Sequence, residues 1–211
     1  MINKTNIQLI DIKKDMCIEW FKQFKDHENV TIHNDDIFAL KTDCVVSPAN
    51  SFGFMDGGLD LLISKNLGWQ IEEQLQVRIK NMSTRELLVG QAELIETGDQ
   101  HIPFCIVAPT MRVPMIIKDT VNTYLASKAV FILLKNNPQI RTISISGLGT
   151  GVGRVPYDVC AKQMYQAFEE VWLDDYKCPE TWREAQNNHQ LLYTEKCRNL
   201  QYSSDERINF L

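Results

Sequence analysis

The chain has 211 residues, 44% hydrophobic and 23% charged, with a formal net charge of -5. That is the size and make-up of one ordinary globular domain with room for a short extension. The acidic balance argues against a protein that grips nucleic acid through clustered Lys and Arg, and no apolar run is long enough to span a bilayer.

The opening residues lead through Ile7, Leu9 and Ile10 straight into charged sequence, without a signal peptide's apolar core and cleavage site, so the cytoplasm is the expected location. Residues 11–26 read as an amphipathic helix, with Met16, Ile18, Trp20, Phe21 and Phe24 supplying an imperfect apolar stripe. A short strand at 30–33 runs into the turn Asn34-Asp35-Asp36-Ile37, which carries two carboxylates. Residues 43–47 hold Cys44-Val45-Val46, the pattern of a buried strand. From Leu59 to Ile79 the apolar residues fall at helical spacing, with Gly68 as a possible break.

Residues 90–96 and 104–108 read as strands joined by the turn Thr97-Gly98-Asp99. The following Thr110-Met111-Arg112-Val113-Pro114 would lie on the same rim as the other strand ends, with Arg112 meeting either an acidic ligand or a surface partner. Residues 119–135 are helical, 141–146 form a β-branched strand, and 157–171 are helical again. Trp69, Trp172 and Trp182 read as packing residues. Strand and helix alternate, which predicts an α/β fold: a largely parallel central sheet with helices on both faces. Residues 1–175 are expected to form the domain and 176–211 a polar extension, helical over about 180–190 and loosely ordered over 201–211.

Two glycine-bearing loops each follow a strand and lead into a helix. The first runs from Ser47 through Asn50, Phe52-Gly53-Phe54-Met55-Asp56 and Gly57-Gly58 to Asp60. The second is Gly147-Leu148-Gly149-Thr150-Gly151-Val152-Gly153-Arg154-Val155-Pro156. Glycine lets main-chain N–H groups approach an anion, and a helix start adds unpaired donors and a positive dipole end. Two such loops at one sheet edge would cradle a diphosphate, or they serve only as tight strand-to-helix turns. The second loop lacks the Lys and hydroxyl of a phosphate-binding P-loop and breaks the G-x-G-x-x-G spacing. The six cysteines form no C-x-x-C pair and the four histidines are scattered, so neither zinc nor a disulfide framework is indicated.

The order of these motifs resembles the macrodomain family, a three-layer α/β/α module that binds ADP-ribose. Asp35-Asp36-Ile37 stands for its G-D-I, Val46-Ser47-Pro48-Ala49-Asn50 for V-N-A-A-N, Gly57-Gly58 for the glycine run, and the loop ending at Pro156 for S-T-G-V-F-G-Y-P. The resemblance covers roughly residues 30–172. It implies that ADP-ribose or a related NAD-derived nucleotide is the ligand, held without metal or cofactor. It also implies that Asp36 and Ile37 meet the adenine, with Asp35 as local competitor. The diphosphate would then meet Gly57, Gly58, Gly149, Thr150, Gly151 and Val152, with Arg154 as a further phosphate contact; Gly153 joins the ligand site where the family's aromatic walls the distal ribose.

The spacing from Asn50 to Asp60 is similar to the N-x9-D of the family's hydrolase branch. There the Asn holds the distal ribose and the Asp orients or activates water, so an ADP-ribosyl ester, on a protein or as O-acetyl-ADP-ribose, is the implied substrate. A non-catalytic reader or sensor is the alternative. The chain departs from the pattern at Ser47, Met55, Asp56, Leu61, Gly153 and Arg154. From the residues alone, Asn50 is equally a turn former, Asp60 a helix-start acid, Asp36 a turn cap, and Arg154 an exposed loop charge.

Overall fold

A computed structural model describes residues 5–202. The residues outside it include 203–211, most of the segment expected to be loosely ordered. The chain runs β1 (Asn6–Ile10), α1 (Lys14–Phe24), β2 (Val30–His33), β3 (Cys44–Ser47), α2 (Gly58–Leu67), α3 (Gln70–Asn81), β4 (Glu93–Glu96), β5 (Phe104–Val107), α4 (Asn122–Lys135), β6 (Thr142–Ile145), α5 (Tyr157–Ala167), a π-helical turn (Phe168–Trp172) and α6 (Trp182–Leu191).

The strands form one sheet in the order β2-β1-β6-β3-β5-β4. All neighbours are parallel except the edge strand β4, which pairs antiparallel with β5. Alternating side chains feed two cores. Cys44, Val46, Ile106, Ile143 and Ile145 face α1, α4 and α5, whereas Val45, Cys105 and Val107 face α2 and α3. This is the expected α/β/α arrangement, with a mixed and largely parallel sheet. Parallel strands covered on both faces need near-continuous apolar sequence, and β3 and β5 supply it as CVVS and FCIV.

Several sequence expectations are corrected. Ile7, Leu9 and Ile10 belong to a strand, β1, which runs into the helix with no Gly or Pro to mark its end. Asp11 is therefore a strand-end residue, and α1 begins only at Lys14. The periodic segment from Leu59 divides at Gly68 as its sequence allows, with a φ of +102° that a side chain would resist. Trp69 and Trp182 are 47% and 55% exposed, so neither is a packing residue; Trp172 does pack on the core.

The chain after Trp172 crosses back over the α4–α5 face. Its anchor is Gln163, a fully buried residue of α5. The Gln163 amide donates to the carbonyls of Thr120 (2.8 Å) and Leu192 (3.3 Å) and accepts from the Tyr124 N–H (2.9 Å). One side chain thus joins α5, the start of α4 and the end of α6. Gln163→Leu leaves those groups without their partner, and the cost of such buried polar groups is about 1–3 kcal/mol. A urea melt should show the midpoint lowered accordingly; an unchanged midpoint would remove Gln163 from this role.

Candidate functional site

All five parallel strands end at one edge of the sheet, so the loops that follow them converge there. These are residues 34–37 after β2, Asp11 after β1, 146–156 after β6, 48–57 after β3 and 108–112 after β5. Because β6 and β3 are neighbours, the two glycine loops rise side by side, rooted about 4.8 Å apart.

The loop after β6 is fixed at its start by Asp11. The Asp11 carboxylate accepts from the Ser146 hydroxyl (2.9 Å) and the Gly147 N–H (3.2 Å) with one oxygen, and from the Lys13 N–H (2.9 Å) with the other. At its end, Val155 N–H bonds Gly149 O and Arg154 N–H bonds Gly151 O. Between these ties, the N–H groups of Thr150, Gly151, Val152 and Gly153 donate to no described residue. Gly151 and Val152 are exposed, and a Cβ at Gly151 would stand in open space. Gly153 differs: it is buried, and a Cβ there would collide with the Gly149 carbonyl oxygen and Ile117. The aromatic of the family pattern therefore has no room at 153. Arg154 is exposed, with φ +53°, a conformation that favours glycine.

The loop after β3 is built around Asn50 and Met55. Asn50 Nδ2 donates to Phe54 O (2.7 Å), while its Oδ1 accepts from the N–H groups of Phe52 (3.1 Å) and Phe54 (3.4 Å). The Asn50 side chain is thus engaged with its own turn. Met55, where the pattern has glycine, is a fully buried anchor, its N–H bonded to Glu72 and its carbonyl to Ser64. Gly57 caps α2 without a side chain, and the N–H groups of Gly57, Gly58, Leu59 and Asp60 donate to no described residue. Asp56 is exposed, and among the described residues no ion pair links it to Arg154.

Asp60 lies in the first turn of α2, over the end of β3. The buried Ser47 hydroxyl donates to its Oδ1 at 2.6 Å. Burial pushes the Asp60 carboxyl up to about 6; the Ser47 hydrogen bond pulls it back and the charge of Asp56 adds to the rise. The Cys105 thiol is raised by burial and by the nearby Asp60 charge. Ser47 was not among the predicted site residues. The signal was its place at the end of a buried strand, on the face of Val45, where a hydroxyl needs a partner.

At the β2 end, Asp36 is exposed. Its Oδ1 accepts from the Phe38 N–H (2.8 Å), and Asp35 caps the Asp36 N–H in turn (2.8 Å), so each keeps one uncommitted oxygen. The Ile37 side chain is in the core, so only its main chain is open to a ligand. Arg112 makes a bidentate ion pair with Glu86 (2.7 Å for each bond) and lies over the Phe52 ring at 5.1 Å. Its guanidinium is thus engaged by a surface partner. Among the described residues, no group of three or more His, Cys, Asp or Glu could hold a metal ion. Two surface hollows of about 500 Å³ lie elsewhere, one near Thr97 at the opposite sheet edge and one between Met82 and Leu133.

The Macro domain family model matches residues 46–164, from β3 through α5, taking in both glycine loops. An uncharacterized protein of Aquifex aeolicus is 30% identical over 152 residues, 72% of this chain and 86% of that protein. The chain belongs to the macrodomain family. Among solved structures, the Oceanobacillus iheyensis macrodomain with ADP superposes with a TM-score of 0.56 at 18% identity, over 75% of this chain and 87% of that one. Thermosipho africanus DarTG in complex with ADP-ribose gives 0.55 at 13% identity, over 88% of this chain and 57% of that one. Asp36 lies upstream of the family match.

The raised Asp60 carboxyl makes a stability prediction. In the unfolded chain it titrates near 3.8, in the fold near 6. Between those values the folded state holds the extra proton, so stability falls as pH rises through the window, by up to about 3 kcal/mol. Asp60→Asn removes the ionisation and keeps an oxygen for Ser47. Its melting temperature should exceed wild type at pH 8 and match it near pH 4. Equal melting at both values would place Asp60 outside the buried setting described.

Proposed function

We propose that this macrodomain binds ADP-ribose or a closely related NAD-derived nucleotide in the cleft between the two glycine loops. The carrying observation is the double row of uncommitted N–H groups, Thr150–Gly153 on one side and Gly57–Asp60 on the other, rooted on adjacent strands. Such donors in a turn and at a helix start favour a dianionic diphosphate. The structures of relatives solved with ADP and with ADP-ribose support the same ligand class. In this reading the free Asp36 oxygen accepts from the adenine amine, the Ile37 main chain lies beside the ring, and Arg154 pairs with a phosphate oxygen. Left-handed backbone at a non-glycine residue costs about 1 kcal/mol or more, a cost consistent with a ligand contact at 154. Asn50 shapes the loop that closes on the distal ribose. The nucleotide unit is residues 1–175, and 176–211 is a polar extension. All six cysteines are described and unpaired, which suits a cytoplasmic setting.

Gly151→Glu tests the cradle. Its Cβ meets no atom within 4 Å, so the fold should survive, while the carboxylate enters the phosphate space. Calorimetry should show ADP-ribose binding lost with the circular-dichroism melt unchanged. For wild type, AMP should bind far more weakly than ADP-ribose. A folded Gly151→Glu protein with undiminished affinity would refute this site.

A second reading is favoured by one observation, the perturbed Asp60 carboxylate in the cleft. It makes the protein a hydrolase of ADP-ribosyl esters, on a modified protein or as O-acetyl-ADP-ribose. Asp60, ionised at neutral pH and basic enough to take a proton, removes one from a water as the water oxygen attacks the ester carbonyl carbon; the bond from that carbon to the ribose oxygen then breaks, the proton passes from Asp60 to the departing ribose oxygen, and the released carboxylic acid ionises in solvent. Asp60→Ala should then lower turnover by about 10²–10⁴, the usual span for a positioned base, with product binding retained. No release from either substrate by wild type that still binds ADP-ribose would leave the reader or sensor role.

A further inference from the structure

We propose that Ser47 is the positioning residue of Asp60, its hydroxyl fixing one carboxylate oxygen so that the other is presented to the cleft. The inference rests on the hydrolase reading for its catalytic meaning, but its physical content is independent of turnover. Ser47 ends β3 with its side chain fully buried on the α2 side of the sheet. Asp60 begins α2 and receives that hydroxyl at 2.6 Å on Oδ1. No described residue donates to Oδ2. A short O–H···O⁻ bond from a rigid strand both restricts the carboxylate's rotamer and favours its charged form.

The pairing also accounts for the departure from V-N-A-A-N. An amide at 47 would place a longer side chain beneath α2, whereas serine reaches the Asp60 oxygen directly. Three groups set the Asp60 titration: Ser47 from β3, Asp56 from the preceding loop, and Cys105 from β5. Cys105 stays a neutral thiol throughout the relevant range. Asp56 opposes ionisation and Ser47 supports it. Without Ser47, burial and Asp56 act unopposed and Asp60 holds its proton closer to neutral pH, where a base is needed.

The test follows the Asp60 carboxyl carbon by NMR in ¹³C-aspartate-labelled full chain, with the resonance assigned by its loss in Asp60→Asn. Wild type should titrate at about 6. Ser47→Ala should move the midpoint upward by about one unit. Ser47→Thr, which keeps the hydroxyl, should restore it, and Asp56→Asn should lower it. Ser47→Cys, close to native volume with a weak donor, repeats the loss if the alanine variant melts early. Where hydrolysis is detected, the acidic limb of the kcat–pH profile should move with the NMR midpoint. An Asp60 midpoint unchanged in both Ser47→Ala and Ser47→Cys overturns the proposal. Absence of hydrolysis by wild type overturns only the hydrolase reading, since the titration still decides what Ser47 does.

Discussion

The cleft depends on one buried carboxylate. Asp11 ends β1, the strand beside β6, and spends both oxygens locally: one on the start of α1, the other on Ser146 and Gly147 at the root of the glycine loop. Its main chain continues the tie, with the N–H bonded to His33 O and the carbonyl accepting from Asn34. The ends of β1, β2 and β6 are thereby held to each other. The loop beyond Gly147 can then leave its donors unpaired without collapsing onto them. The free N–H groups beyond Gly147 thus rise from strand ends whose main chain is paired through Asp11.

Much of this was legible in the sequence. Periodicity marked most elements, and the order of the glycine loops marked the fold and the edge where the strands end. What was not legible has a common cause: it depends on which strands are neighbours. β1 is too quietly bounded to read as a strand, running into charged sequence with no Gly or Pro, yet it sits between β2 and β6. Asp11 therefore looked like helix sequence. Ser47 looked like a lost asparagine until α2 was seen to lay Asp60 across it. Gly153 looked like a missing wall, but its Cβ direction is filled by Ile117 and the Gly149 carbonyl. Arg112 fell to Glu86, distant in sequence and adjacent in space.

Two residues in the cleft are held against local preference. Asp60 keeps a carboxylate where burial disfavours charge, and Arg154 keeps a side chain where the backbone favours glycine. Neither is needed by the sheet or by either core. Left-handed backbone also occurs at Arg85 and Asp174, so what sets this edge apart is the strained Arg154 together with the buried carboxylate of Asp60.

The short stretch 112–117 touches both loops. Arg112 O receives the Ser51 N–H of the first, and Ile117 donates to Gly153 O of the second. It acts as a yoke. Neither jaw of the cleft can swing open without pulling on the same six residues, and the exposed Val113, Met115 and Ile116 ride on that yoke. The separation of the two loops is thus fixed in part by a segment that belongs to neither of them.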